Sequence, residues 1–141
     1  MRIASLGQLH LWDRRKKANQ PPYATEFRLA CAFADTLRRT ARKDWRWSHF
    51  PAGEFRETVT GERLRRMGLA KGWPDYLFLS PVGQIHCLEL KRGRAPLTTE
   101  QEGFRDFCKA HGVPWVVARS YDDAIAAVTK WGVLKLEVRP Q

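Results

Sequence analysis

Cysteine is scarce and unpatterned in this chain of 141 residues: Cys31, Cys87 and Cys108 form an odd set with no Cys-x-x-Cys pair. A disulfide framework is therefore excluded, and because each cysteine lies in an apolar stretch, buried reduced thiols are expected. The cysteines and His10, His49, His86 and His111 also lack the spacing of zinc ligands. Glycines occur singly and never as Gly-Lys-Ser/Thr, which argues against ATP use. No apolar run approaches the roughly 18 residues that span a bilayer, and residues 1–11 hold no signal-peptide core, so a cytoplasmic protein without membrane contact is expected. Acidic residues are in deficit as well.

That deficit is 15 Asp and Glu against 25 Lys and Arg, a net charge of +10. Such a field attracts polyphosphate. The basic residues cluster at positions 14–17, 38–43, 63–66 and 91–94. Clustering favours nucleic acid over charge kept for solubility alone. The length suits a single folded domain.

Residues 1–22 hold few core-like side chains and finish at Gln20-Pro21-Pro22, so they read as a basic arm preceding a domain at 23–141. From Thr25, a candidate N-cap, Phe27, Ala30, Ala34, Leu37 and Ala41 recur at helical spacing. Residues 45–50 read as a strand, 51–53 as a turn and 54–67 as a short basic helix. The segments 75–79 and 85–91 flank a hairpin-type loop and are expected to pair as central antiparallel strands. A helix over 98–111, with Gln101, Phe104, Cys108 and His111 on one stripe, precedes an apolar strand at 113–118. Ser120, with Asp123 three residues on, caps a helix carrying Ile125, Val128 and Trp131. Alternation of Leu134, Leu136 and Val138 with charged residues predicts a last, half-exposed strand. This order predicts an α/β fold, a mixed central sheet flanked by helices on both faces.

The chemistry concentrates in the two central strands. Asp75 opens one, and Glu89 and Lys91 lie two residues apart on the next, so the pleat points both the same way. The hairpin returns Asp75 to the level of Glu89. Two carboxylates beside an ammonium suit a hard divalent cation, which takes oxygen ligands and keeps several waters. Each piece has an ordinary alternative: Asp after Pro74 is a common turn residue, and Glu-x-Lys a common surface ion pair. Their place in the most apolar strands argues against those alternatives, because an unneeded charge is costly there. Glu26 shares a helical stripe with Ala30, Phe33 and Leu37, and reads either as a third site carboxylate or as a first-turn acid favouring the helix dipole. Arg63, Arg66 and Lys71 precede Asp75, and Arg92 and Arg94 follow Lys91, as candidate phosphate contacts. Trp73 reads as a loop anchor or as a stacking surface for an unpaired base. His49 and His86 read as structural.

Gly72-Trp73-Pro74-Asp75, Glu89-Leu90-Lys91 and Leu97-Thr98-Thr99-Glu100-Gln101 together resemble the PD-(D/E)XK nuclease superfamily and, within it, the virus-type replication-repair nuclease (VRR-NUC) family. His49-Phe50-Pro51-Ala52-Gly53 is similar to that family's His-x-Pro-Asn-Gly segment, with Ala52 in place of Asn, and Lys71-Gly72 to its Lys-Gly pair. The resemblance covers about residues 23–131. It implies a restriction-endonuclease-like core in which Asp75, Glu89 and the Leu90 carbonyl bind Mg2+, with Mn2+ as substitute, and Lys91 handles the nucleophilic water. Glu26 matches the first-helix glutamate of resolvase-like members, which would add it to the metal ligands, and Gln101 the glutamine that leans into the site. Thr98-x-x-Gln101 is also a capping box that would satisfy Gln101 locally, whereas a box at Thr99-x-x-Glu102 would release it. The resemblance further implies a DNA endonuclease, directed to branched DNA in the manner of a Holliday-junction resolvase and acting as a homodimer in repair or recombination. The alternatives are a non-catalytic basic nucleic-acid-binding module on the same fold and an RNA-directed nuclease.

Overall fold

The computed structural model describes residues 22–51 and 59–135, with side chains from residue 26 onward. The basic arm at 14–17, the turn residues 52 and 53, the start of the basic helix and residues 136–138 of the last expected strand lie outside the described residues. The elements run α1 (Pro22–Thr40), β1 (Arg46–His49), α2 (Val59–Arg66), β2 (Tyr76–Leu79), β3 (Ile85–Leu90), α3 (Thr99–Ala110), β4 (Trp115–Ala118) and α4 (Tyr121–Trp131). The sheet order is β1-β2-β3-β4. β1 with β2 and β2 with β3 are antiparallel, and β3 with β4 is parallel. The parallel pair requires a crossover, which α3 supplies. The result is the mixed α/β sheet that the sequence predicts.

Alternation along β3 separates the two layers. His86 and Leu88 face α1 and α4. Phe33 of α1 meets the Tyr76 ring edge-on at 5.1 Å, and Trp131 of α4 meets Phe78 at 5.7 Å and His86 at 5.0 Å. Cys87 and Glu89 face α3, whose Cys108 thiol touches that of Cys87. Both thiols are buried, and burial pushes Cys87 up to about 12, which keeps it protonated. Cys31 is exposed, against expectation, because it sits on α1 away from the Phe33 and Leu37 stripe.

The first helix begins at Pro22, so Thr25 lies inside it and is not its cap. Proline suits the first helical position, where its missing N–H has no partner to lose. Phe33 and Leu37 are fully buried while Phe27 is exposed, so the packed stripe is the one through Ala30, Phe33 and Leu37. At the other end of α1, Arg42 N–H bonds the Val133 carbonyl and Lys135 N–H the Thr40 carbonyl, both at 2.7 Å. Leu134 bridges Ala41 there in antiparallel sense. Ser120 caps α4 by accepting from the Asp123 N–H, as its spacing predicts. Among the described residues, no helix is long and apolar enough to cross a membrane.

One backbone contact sets the approach to β2. Gly72 has φ +86°, and a Cβ built on it would stand 2.4 Å from the Glu100 carbonyl oxygen in the first turn of α3. The chain is thereby pressed against α3 just before Pro74, which is fully buried. Gly68 also has positive φ, but its would-be Cβ meets open space. Gly68→Ala is expected to cost about 1 kcal/mol for its backbone conformation alone. Gly72→Ala should cost about 3 kcal/mol or more, since strain and collision add. Urea unfolding checks the difference; equal costs would show that the close approach constrains nothing.

Candidate active site

The site forms where the ends of β1, β2 and β3 meet the first turn of α3. Phe50, just after β1, donates its N–H to the Asp75 carbonyl at 2.7 Å and fixes the residue that leads into β2. Tyr76 pairs with Leu88, so Asp75 falls opposite Glu89. Residues opposite one another on antiparallel strands project from the same face. Asp75 Oδ2 accepts the Leu90 N–H at 2.7 Å. Glu89 accepts the Asp75 main-chain N–H, and the two carboxyl groups are themselves hydrogen-bonded.

Gln101 joins this pair from α3. Its Oε1 accepts the Thr98 N–H at 2.9 Å, while its own N–H donates to Thr98 Oγ1 at 3.2 Å, which completes the capping box. Its Nε2 donates to Glu89 Oε1 at 2.7 Å. The two readings of Gln101 are thus both realised, because an amide presents an acceptor and a donor on opposite sides. The box at Thr99 and Glu102 does not form; the Glu102 N–H bonds the Thr98 carbonyl in the ordinary helical manner. The cap therefore orients the side chain that holds Glu89.

Lys91 follows the last residue of β3, and its N–H extends the pairing to the Ala118 carbonyl at 2.9 Å. Its ammonium is close enough to favour the ionised forms of both Asp75 and Glu89. Burial outweighs that help. Glu89 is only 4% exposed, and desolvation first, then the negative charge of Asp75, pushes its carboxyl up to about 8. Burial likewise raises Asp75, against the opposing effects of the Leu90 N–H, His49 and Lys91. Burial thus favours a protonated pair over two ionised carboxylates. Two like charges about 4 Å apart would otherwise repel by about 4 kcal/mol at an effective dielectric near 20. A hard divalent cation relieves the same repulsion, and an all-oxygen donor set of two carboxylates and neighbouring carbonyls fits one.

Glu26 is not gathered with them. It is exposed, and it lies beyond the first turn of α1, which contains no acidic residue, so the dipole reading does not hold either. Among the described residues, no cluster of three or more His, Cys, Asp or Glu side chains forms. The donor set present is the Asp75 and Glu89 pair. Arg63, Arg66, Lys71, Arg92 and Arg94 are all exposed.

His49, read as structural from the sequence, and Arg119, which the sequence does not single out, also act on the site. His49 is exposed, lies across from Tyr76 with ring centroids 5.2 Å apart, and its charge lowers the Asp75 pKa. Its signal was its place at the end of a strand pairing with the one after Asp75. Arg119 reaches across from β4 and donates through Nη1 to the carbonyls of Gly93 at 3.0 Å and Ala95 at 2.7 Å. It straps the loop that carries Arg92 and Arg94, and no local spacing announces that contact.

No family model matches the sequence, and no curated protein does. Among solved structures, a VRR_NUC domain protein superposes with a TM-score of 0.59 at 21% identity, over 75% of this chain and 86% of its own. At that identity the likeness is one of architecture. The chain has a VRR-NUC-like α/β fold.

Proposed function

We propose that this protein is a magnesium-dependent DNA endonuclease that hydrolyses phosphodiester bonds in branched or otherwise structured DNA, as a Holliday-junction resolvase does. The observation that carries the reading is the hydrogen-bonded pair of half-buried Asp75 and buried Glu89, on which the Lys91 charge acts. An enzyme without use for the pair would gain stability by replacing it with apolar residues. The VRR-NUC-like fold and the +10 charge support the same reading.

Asp75, Glu89 and the Leu90 carbonyl would hold the cation, magnesium or manganese. Bound there, it supplies Lewis acidity to the phosphoryl group and to the attacking water. Gln101 fixes the orientation of Glu89. Lys91 positions the water oxygen that attacks phosphorus in line with the departing sugar oxygen, and it stabilises the charge that develops. Exposed Arg63, Arg66, Lys71, Arg92 and Arg94 contact phosphates on either side. A homodimer would offer two equivalent sites to a two-fold symmetric junction.

The direct test is incubation with linear, nicked, flapped and four-way DNA and a matched RNA, in magnesium or in chelator. Cutting of structured DNA in magnesium alone is expected, and Asp75→Asn and Lys91→Arg should lose at least about 100-fold in turnover while still binding. Binding without cutting would make the protein a basic nucleic-acid-binding module, and preferential cutting of RNA would overturn the substrate class.

The carboxyl pair also sets a stability profile. Glu89 has a folded pKa raised from 4.5 to about 8, so folding favours its protonated form. That contribution is present at low pH and is lost as pH rises through about 8. In chelator, Glu89→Gln, which mimics the protonated form, should melt close to the wild type at pH 5 and several degrees above it at pH 9. Added magnesium should raise the wild type and not the variant. Parallel melting profiles for the two proteins would remove the buried pair from the account.

A further inference from the structure

The geometry points to Trp73 as a stacking platform for one unpaired base next to the Asp75 and Glu89 pair, an inference that rests on the nuclease reading of that site. Among the described tryptophans it alone is exposed, at 41%, whereas Trp45 is 7% exposed and the ring of Trp131 packs on Phe78 and His86. The indole is nonetheless held firmly. Its centroid lies 5.6 Å from Phe50 and 5.0 Å from Phe104, both rings tilted against it.

These two buttresses are the elements that also set the site. Phe50 carries the N–H that fixes Asp75, and Phe104 lies one turn beyond Gln101, which holds Glu89. Trp73 itself precedes Asp75 by two residues. Its open surface therefore keeps a fixed relation to the carboxyl pair.

Anchoring the loop does not require that surface. Pro74 is fully buried, and Gly72 presses on the Glu100 carbonyl, so the turn is already pinned on both sides of the indole. Lys71, two residues earlier, is exposed and cationic, which matches a partner that offers a phosphate next to an apolar face. A nucleotide has both. In an intact duplex the base faces are already stacked on one another and are closed to a side chain. Only a flap, a gap, a frayed end or a junction presents a free face. Because every base has such a face, Trp73 selects structure without selecting sequence.

The test uses synthetic DNA with 2-aminopurine either unpaired beside a flap or gap or paired within a duplex, with calcium present to prevent turnover. The wild type should quench the unpaired probe and leave the paired one unchanged. Trp73→Leu should lose that quench and about 10-fold in affinity for the flapped DNA, with little loss on duplex. Trp73→Phe, which keeps a smaller ring in the same packing, should retain part of both; it decides the matter if the leucine variant folds poorly. No quench by the wild type, or equal losses on paired and unpaired DNA, overturns the inference. Magnesium reactions on the same DNAs separate it from the broader reading. Cutting that ignores Trp73 sinks the stacking role alone, and Trp73-dependent quench without cutting sinks the nuclease reading alone.

Discussion

Two carboxyl groups brought face to face at the end of a buried strand pair repel one another and lack water to screen them, and much of the surrounding architecture answers that fact. Leu90 offers its N–H to Asp75, Gln101 offers an amide to Glu89, and the charge of Lys91 favours the ionised form of both. None of these suffices to keep both groups ionised, because desolvation dominates. The pair is biased toward holding a proton in a place suited to a cation. Sites with this imbalance are poised for exchange: the ligand that displaces the proton gains the electrostatic energy the fold has left unspent.

Positioning depends on local devices that each serve twice. The α3 cap is a helix start, and the same glutamine that closes it steadies Glu89. Gly72 is a turn residue, and its lack of a side chain lets the Pro74-Asp75 segment lie against α3. Arg119 leaves the end of β4 and ties down the loop after Lys91. Two of these devices tie the site to α3 and the third ties it to the end of β4, so the site's geometry is set by how the sheet packs on its helices.

Much of this was legible in the sequence because it is local. The 75–79 and 85–91 segments with a hairpin loop between them fix antiparallel pairing, and pairing fixes which residues face one another. Caps at Thr98 and Ser120 follow from three-residue spacings. What depends on distant contacts was not legible. The exposure of Glu26, Phe27 and Cys31 depends on how far α1 extends beyond the sheet and which of its faces the sheet covers. Periodicity gives a stripe but not its limits. His49 gained its place beside Asp75 from strand register, and Arg119 from a crossover between β3 and β4.

The central claim is that Asp75 and Glu89 together hold a hard cation, and anomalous diffraction from crystals soaked in manganese tests it most directly. The account predicts one strong peak bonded to oxygens of both carboxyl groups, at about 2.1 Å from each. Crystals that bind manganese elsewhere, with the Asp75 and Glu89 carboxyls still hydrogen-bonded to each other, would contradict it.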